Sequence, residues 1–114
     1  MTNYAHGHDA EKIAAEWLEG QGYKVLALNW RHQRAEIDIV ARKAHQPLTF
    51  FEVKYRQSTG QGSGLDYITT AKLRQMAFAA DLYVGMHHYP DEYVLGAIEL
   101  AGPDYEVTNF IAEL

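Results

Sequence analysis

Three charged residues sit inside strongly apolar stretches: Asp38 in Ile37-Asp38-Ile39-Val40, and Glu52 and Lys54 in Phe50-Phe51-Glu52-Val53-Lys54. A buried carboxylate without a partner costs several kcal/mol, so each of these placements needs a reason. Residues two apart on a strand share a face, which puts Glu36 beside Asp38 on one strand and Glu52 beside Lys54 on the next; if the strands pair, the two sets converge. One reading is a cross-strand salt bridge of Asp38 or Glu52 with Lys54, and for any single pair it is the commoner outcome. The other is a metal site, which accounts for more of the residues at once. Two carboxylates and a backbone carbonyl make a hard oxygen set of the kind Mg2+ (or Mn2+) accepts, with waters completing the octahedron. Such an ion acidifies an attacking water and neutralises charge developing on a phosphate, while a nearby ammonium stabilises the transition state.

The elements that must position these groups read as follows. Asp9 can cap a helix whose Ala10, Ile13, Ala14, Trp17 and Leu18 recur at helical spacing, with Gly20 and Gly22 as its stop. Glu11 lies seven positions before Leu18, nearly two turns, so it shares the inner side of this helix and can reach the same cavity as a further metal or water ligand; an ordinary exposed first-turn acid is the equal alternative. Extended runs follow at residues 23–30, 36–41 and 48–55, separated by the polar cluster 31–34 and by a proline-containing connection at 42–47, and they predict a three-stranded meander. Residues 57–64 contain only Gly, Ser, Gln and Thr and predict a mobile loop, with a flap over substrate as its functional reading. Thr69 or Thr70 caps a second helix that reaches about Val84 and ends at Gly85. Two more extended runs, 93–100 and 105–112, flank an Ala-Gly-Pro-Asp turn. The order is α-β-β-β-α-β-β, one domain over residues 1–114, in which a mixed sheet flanked by helices buries the apolar faces.

Composition narrows the function classes. The 114 residues include no cysteine, which excludes disulfides and thiolate metal sites, and neither a secretory start nor a membrane-length apolar run is present, so a cytoplasmic protein without a membrane partner is expected. The net charge of −5 argues against a nucleic-acid binder, but the distribution does not. Eight of the ten basic residues fall between positions 31 and 74 and leave that segment net +4, whereas the chain after Arg74 carries seven acids and no Lys or Arg. Arg31, Arg34, Arg56, Lys72 and Arg74 are the candidates for phosphate contact.

Taken together, Gly7-x-x-Ala10-Glu11, Gly22-Tyr23, Asn29-Trp30-Arg31, Ala35-Glu36-Ile37-Asp38 and Glu52-Val53-Lys54-Tyr55-Arg56, with Lys72 opening the second helix, resemble the YraN-like family of predicted bacterial endonucleases. That family is similar to archaeal Holliday-junction resolvases and belongs to the PD-(D/E)-x-K nuclease superfamily. The resemblance implies a restriction-endonuclease-like α/β fold. It assigns Asp38 to the Asp position, Glu52 and Lys54 to the E-x-K positions and Glu11 to the helix-one acid, all four as catalytic residues, with Asp38 and Glu52 holding the metal. It implies DNA as partner, branched or repair intermediates among the substrates, and a homodimer wherever two strands are cut symmetrically. The sequence departs from the family's pattern at Ala35, where glycine is usual, and after Tyr83, where no match is found.

The remaining motifs carry less. His6, His8, His87 and His88 favour solvated histidines over a zinc or nickel site. Trp17, Trp30, Phe50 and Phe51 favour core over base stacking. Two other function classes stay open: a nucleic-acid-binding module or assembly subunit with the same fold and no turnover, and a protein-interaction domain using the acidic end.

Overall fold

The structure, a computed structural model, describes residues 3–57, 65–90 and 92–114, with side chains from Asp9 onward. The elements follow the expected order: α1 (Asn3–Gly20), β1 (Tyr23–His32), β2 (Ala35–Lys43), β3 (Leu48–Arg56), α2 (Thr70–Met86), β4 (Tyr93–Ala101) and β5 (Glu106–Ile111). The five strands form one sheet in sequence order. Pairing is antiparallel for β1–β2, β2–β3 and β4–β5 and parallel for β3–β4, so the sheet is mixed and the parallel pair requires the crossover that α2 supplies. This is the restriction-endonuclease-like arrangement, a mixed sheet with a helix on each face.

Each face of the sheet carries its own core. On the α1 side, Ala10, Ala14 and Leu18 recur every four residues and pack on Ile39, Phe51, Ile98 and Leu100. On the α2 side, Ala79, Ala80, Tyr83 and Val84 pack on Ile37, Val40, Leu48 and Phe50. Alternation along β3 explains the division, since Phe50 and Phe51 point to opposite faces and both are 1% exposed. Burial of each ring contributes roughly 2–3 kcal/mol. Trp17 and Trp30 are partly buried against these same clusters, as expected of core aromatics.

Three boundaries differ from expectation. Asp9 does not cap α1, because the helix already begins at Asn3 and Asp9 falls inside it. Gly85 does not end α2; the helix runs to Met86 and is closed by His87, whose backbone N–H donates to the Tyr83 carbonyl. A glycine one residue from the end of a helix is tolerated when the cap beyond it satisfies the last carbonyls. The first four strands run one or two residues past their apolar patterns, whereas β5 is one residue shorter than its pattern at each end. Thr69 caps α2 as expected, its side chain accepting from the Lys72 amide at 3.1 Å. The loop expected at 57–64 lies outside the described residues after Gln57, and so do the side chains of His6 and His8. No helix among the described residues is long and apolar enough to cross a membrane.

Candidate active site

The β2–β3 ladder stops short. Its register runs from Arg42↔Leu48 to Ile39↔Phe51, after which β2 continues along β1 as far as Ala35 and β3 continues along β4 as far as Arg56. The sheet therefore forks where Asp38 would face Glu52. The face of β2 changes at the same point: Ala35 and Ile37 pack into the α2-side core, whereas Ile39 and Ala41, of the same strand parity, pack into the α1-side core. A fork strands backbone donors, and the Asp38 carboxyl takes one of them, with Oδ2 accepting from the Val53 amide at 2.8 Å.

A pocket of about 370 Å3 opens at the fork and is lined by Glu11, Asp38, Glu52 and Lys54 together with Arg34 and Lys72. The four residues expected to be catalytic thus come to one place: Glu11 from α1, Asp38 from β2, and Glu52 and Lys54 from β3. Of the five expected phosphate contacts, Arg34 and Lys72 join them. Arg31, Arg56 and Arg74 do not line the pocket. Arg31 pairs with Glu36 at 3.3 Å on the surface, Arg74 is exposed on α2, and Arg56 is held at 2.6 Å by Glu99.

The carboxyl groups are strained electrostatically. Burial, and then the neighbouring Glu52 carboxylate, push Asp38 up from 3.8 to about 8, against the opposing pull of the Val53 amide; Glu11 adds to the upward push. Glu52 in turn accepts from Lys72 Nζ at 2.8 Å. The cross-strand salt bridge weighed for Lys54 is absent. Glu52 pairs with the helix lysine, Asp38 with a backbone amide, and no carboxylate among the described residues forms an ion pair with Lys54. Its ammonium instead lies over the Tyr67 ring, 5.8 Å from the centroid, with the Arg56 guanidinium at 5.9 Å from the same ring.

Sequence reading missed the groups behind the lysine. Glu99, 4% exposed on β4, is the parallel-register neighbour of Lys54. It accepts from Arg56 Nε, from Thr108 Oγ1 at 2.9 Å and from Asn109 Nδ2 at 2.8 Å. Burial would raise its pKa, but the bonds from Arg56, Asn109 and Thr108 outweigh that and hold it below 4.5. The signal available was an acid within the apolar run of β4, the same anomaly that marked Glu52. Tyr67 has its hydroxyl buried with no hydrogen-bond partner among the described residues. Burial, Glu52 and Glu99 all hold that hydroxyl in its protonated form.

Chemically, the fork offers two adjacent carboxyls whose mutual repulsion a cation would relieve, and a third acid close enough to act on them. Among the described residues no group of three or more His, Asp or Glu is arranged to hold a metal, so any ion here would take most of its ligands from water and substrate. That donor set, hard oxygens and few of them, fits magnesium or manganese rather than zinc.

Residues 10–102 match the model of the Uncharacterised protein family UPF0102. A UPF0102 protein of Chlorobium limicola is 40% identical over 78 residues, covering 68% of this chain and 60% of that protein. A UPF0102 protein of Pseudomonas putida is 41% identical over 78 residues, covering 68% of this chain and 63% of the relative. A UPF0102 protein of Shewanella loihica is 33% identical over 113 residues, 96% of this chain and 98% of that protein. The match therefore spans less than two thirds of the first two relatives and nearly the whole of the third.

Proposed function

The chain belongs to the uncharacterised protein family UPF0102, a bacterial family consistent with the YraN-like resemblance, and we propose that it is a divalent-cation-dependent endonuclease acting on DNA. The observation that carries this reading is the convergence of Asp38, Glu52 and Lys54 at the strand fork, with the ammonium in no carboxylate pair among the described residues. A structural charge network would have neutralised Lys54; a nuclease needs that charge for its substrate.

Asp38 and Glu52 would hold magnesium or manganese, which when bound supplies neutralising charge at the scissile phosphate and acidifies the attacking water. Asp38 must lose its proton for this, since a carboxyl held near 8 is mostly protonated at neutral pH. Lys72 pins Glu52 from α2 and fixes the orientation of its second oxygen. Lys54 presents its ammonium where charge builds on the phosphate, and the Tyr67 ring keeps that side chain in place. Glu11 orients the attacking water from the helix side. Arg34, which also lines the pocket, contacts a flanking phosphate.

In the test, purified Asp38→Ala and Glu52→Ala lose divalent-dependent cleavage of duplex, branched and single-stranded DNA while keeping the wild-type circular dichroism. Full activity in both folded variants would remove these residues from the site. One observation favours a second reading, a nucleic-acid-binding module without turnover: the lack of a third metal-holding side chain among the described residues. Salt-sensitive DNA binding with no cleavage in either magnesium or manganese would select it.

A further inference from the structure

We propose that Phe78 is a base-stacking contact and that the substrate presents an unpaired nucleobase beside the phosphate held at the fork, an inference that rests on the nuclease reading. Phe78 is 56% exposed, the most exposed of the large hydrophobic residues among those described, and unlike Leu28, Met86 and Leu114 it lines the pocket that contains Asp38, Glu52 and Lys54. The fold offers a structural explanation for nearly every other aromatic ring near α2. Phe50, Tyr83, Tyr93, Trp30 and Tyr89 form a chain of ring contacts, whereas Phe78 enters no ring pair among the described residues.

Its place on α2 supplies the chemistry. Lys72, Gln75 and Phe78 follow one another at intervals of three, so they form one ridge along the helix, and Lys72 anchors the inner end of that ridge on Glu52. Six residues of helix put Phe78 about 9 Å further along the axis than Lys72. Arg74, also exposed, lies one turn before Phe78. A cation at the carboxylates, an amide in the middle and an aromatic ring at the outer end match the phosphate, base edge and base face of one nucleotide. In a continuous duplex both faces of each base are already covered by neighbours. An exposed ring gains a stacking partner only where a base is unpaired, as in a single strand, a flap or the open centre of a branched junction.

The experiment measures binding without cleavage: fluorescence anisotropy of the full chain in EDTA, with a labelled oligothymidylate and a labelled blunt linear duplex, for wild type, Phe78→Ala, Phe78→Leu and Phe78→Trp. Expected are a loss of about ten- to hundredfold for the single strand in Phe78→Ala and Phe78→Leu, recovery in Phe78→Trp with quenching of the new indole on binding, and duplex affinity unchanged. The leucine variant separates a π face from mere apolar area. Single-strand binding unaltered in Phe78→Ala, or equal losses for both DNAs, would overturn the inference while leaving the nuclease reading standing. A change in sedimentation of Phe78→Ala would overturn it too, by assigning the ring to contact with a second copy of this chain. Wild type that binds neither DNA would defeat the nuclease reading and this inference with it.

Discussion

Replacing Asp38 with asparagine should make the metal-free protein more stable, increasingly so as pH rises. The Asp38 carboxyl sits at about 8 in the folded chain against 3.8 when unperturbed, because it is buried next to Glu52. A folded value above the unfolded one means that the protonated carboxyl's contribution is fully present below 3.8 and drains away as pH climbs toward 8. Each pH unit within that window costs about 1.4 kcal/mol, so the wild type should lose on the order of 3 kcal/mol relative to the variant between about pH 5 and pH 7. Asparagine keeps an oxygen to accept from the Val53 amide and an N–H to offer Glu52, and it carries no charge to desolvate. Urea unfolding in EDTA at several pH values, fitted for both proteins, gives the difference directly, and its slope against pH is independent of any fixed effect of the asparagine. A difference that stays level within about 1 kcal/mol over that range would mean instead that Asp38 ionises as an ordinary surface acid. Adding magnesium at neutral pH should then stabilise the wild type and leave Asp38→Asn unmoved.

Other consequences are open to the same kind of test. Glu99→Ala leaves Arg56 without its carboxylate and Thr108 and Asn109 without their acceptor, and should destabilise the fold by about 3–5 kcal/mol in chemical denaturation. Gly96→Ala would bring a methyl group to 2.6 Å from Phe51 Cε1 and 2.8 Å from the Ile111 carbonyl, between the ring and the backbone of two strands, so a loss of about 1–3 kcal/mol or more is expected from the urea midpoint. Lys54→Met should preserve unfolding behaviour and cation binding yet lower single-turnover cleavage about a hundredfold or more, because it removes charge only from the transition state. Equal losses in cation affinity and in cleavage would instead make Lys54 part of the cation site.

How much of this was legible beforehand follows the range of the interactions. The seven elements and their order come from periodicity and turn residues, both local signals, and they are correct; the errors lie at helix ends. Asp9 looked like a start because it is a good capping residue, and Gly85 looked like a stop because it is glycine, but preceding residues extend α1 and His87 closes α2. Strand spacing likewise brought Asp38, Glu52 and Lys54 together, since a two-residue repeat fixes which side chains share a face. What the spacing could not reveal was who pairs with whom. Lys72 reaches Glu52 across a helix–sheet contact, and Arg56 meets Glu99 across 43 residues through the parallel β3–β4 register. That register also alters the meaning of the acidic end: one of its seven acids is buried structure against a basic residue of the +4 segment. The strand fork itself has no local signature, although it is what makes room for the pocket.

Whether Asp38 and Glu52 form a divalent-cation site serving DNA cleavage can be decided by one titration calorimetry series near neutral pH. Magnesium or manganese is titrated into wild type, Asp38→Asn and Glu52→Gln, in two buffers of different ionisation enthalpy. Wild type should bind the cation with release of a proton, as Asp38 gives up the one it holds at about 8. Both variants should lose binding, and the same wild-type preparation should show divalent-dependent cleavage. Binding of equal strength in all three proteins, or binding by wild type without proton release, would contradict this site assignment.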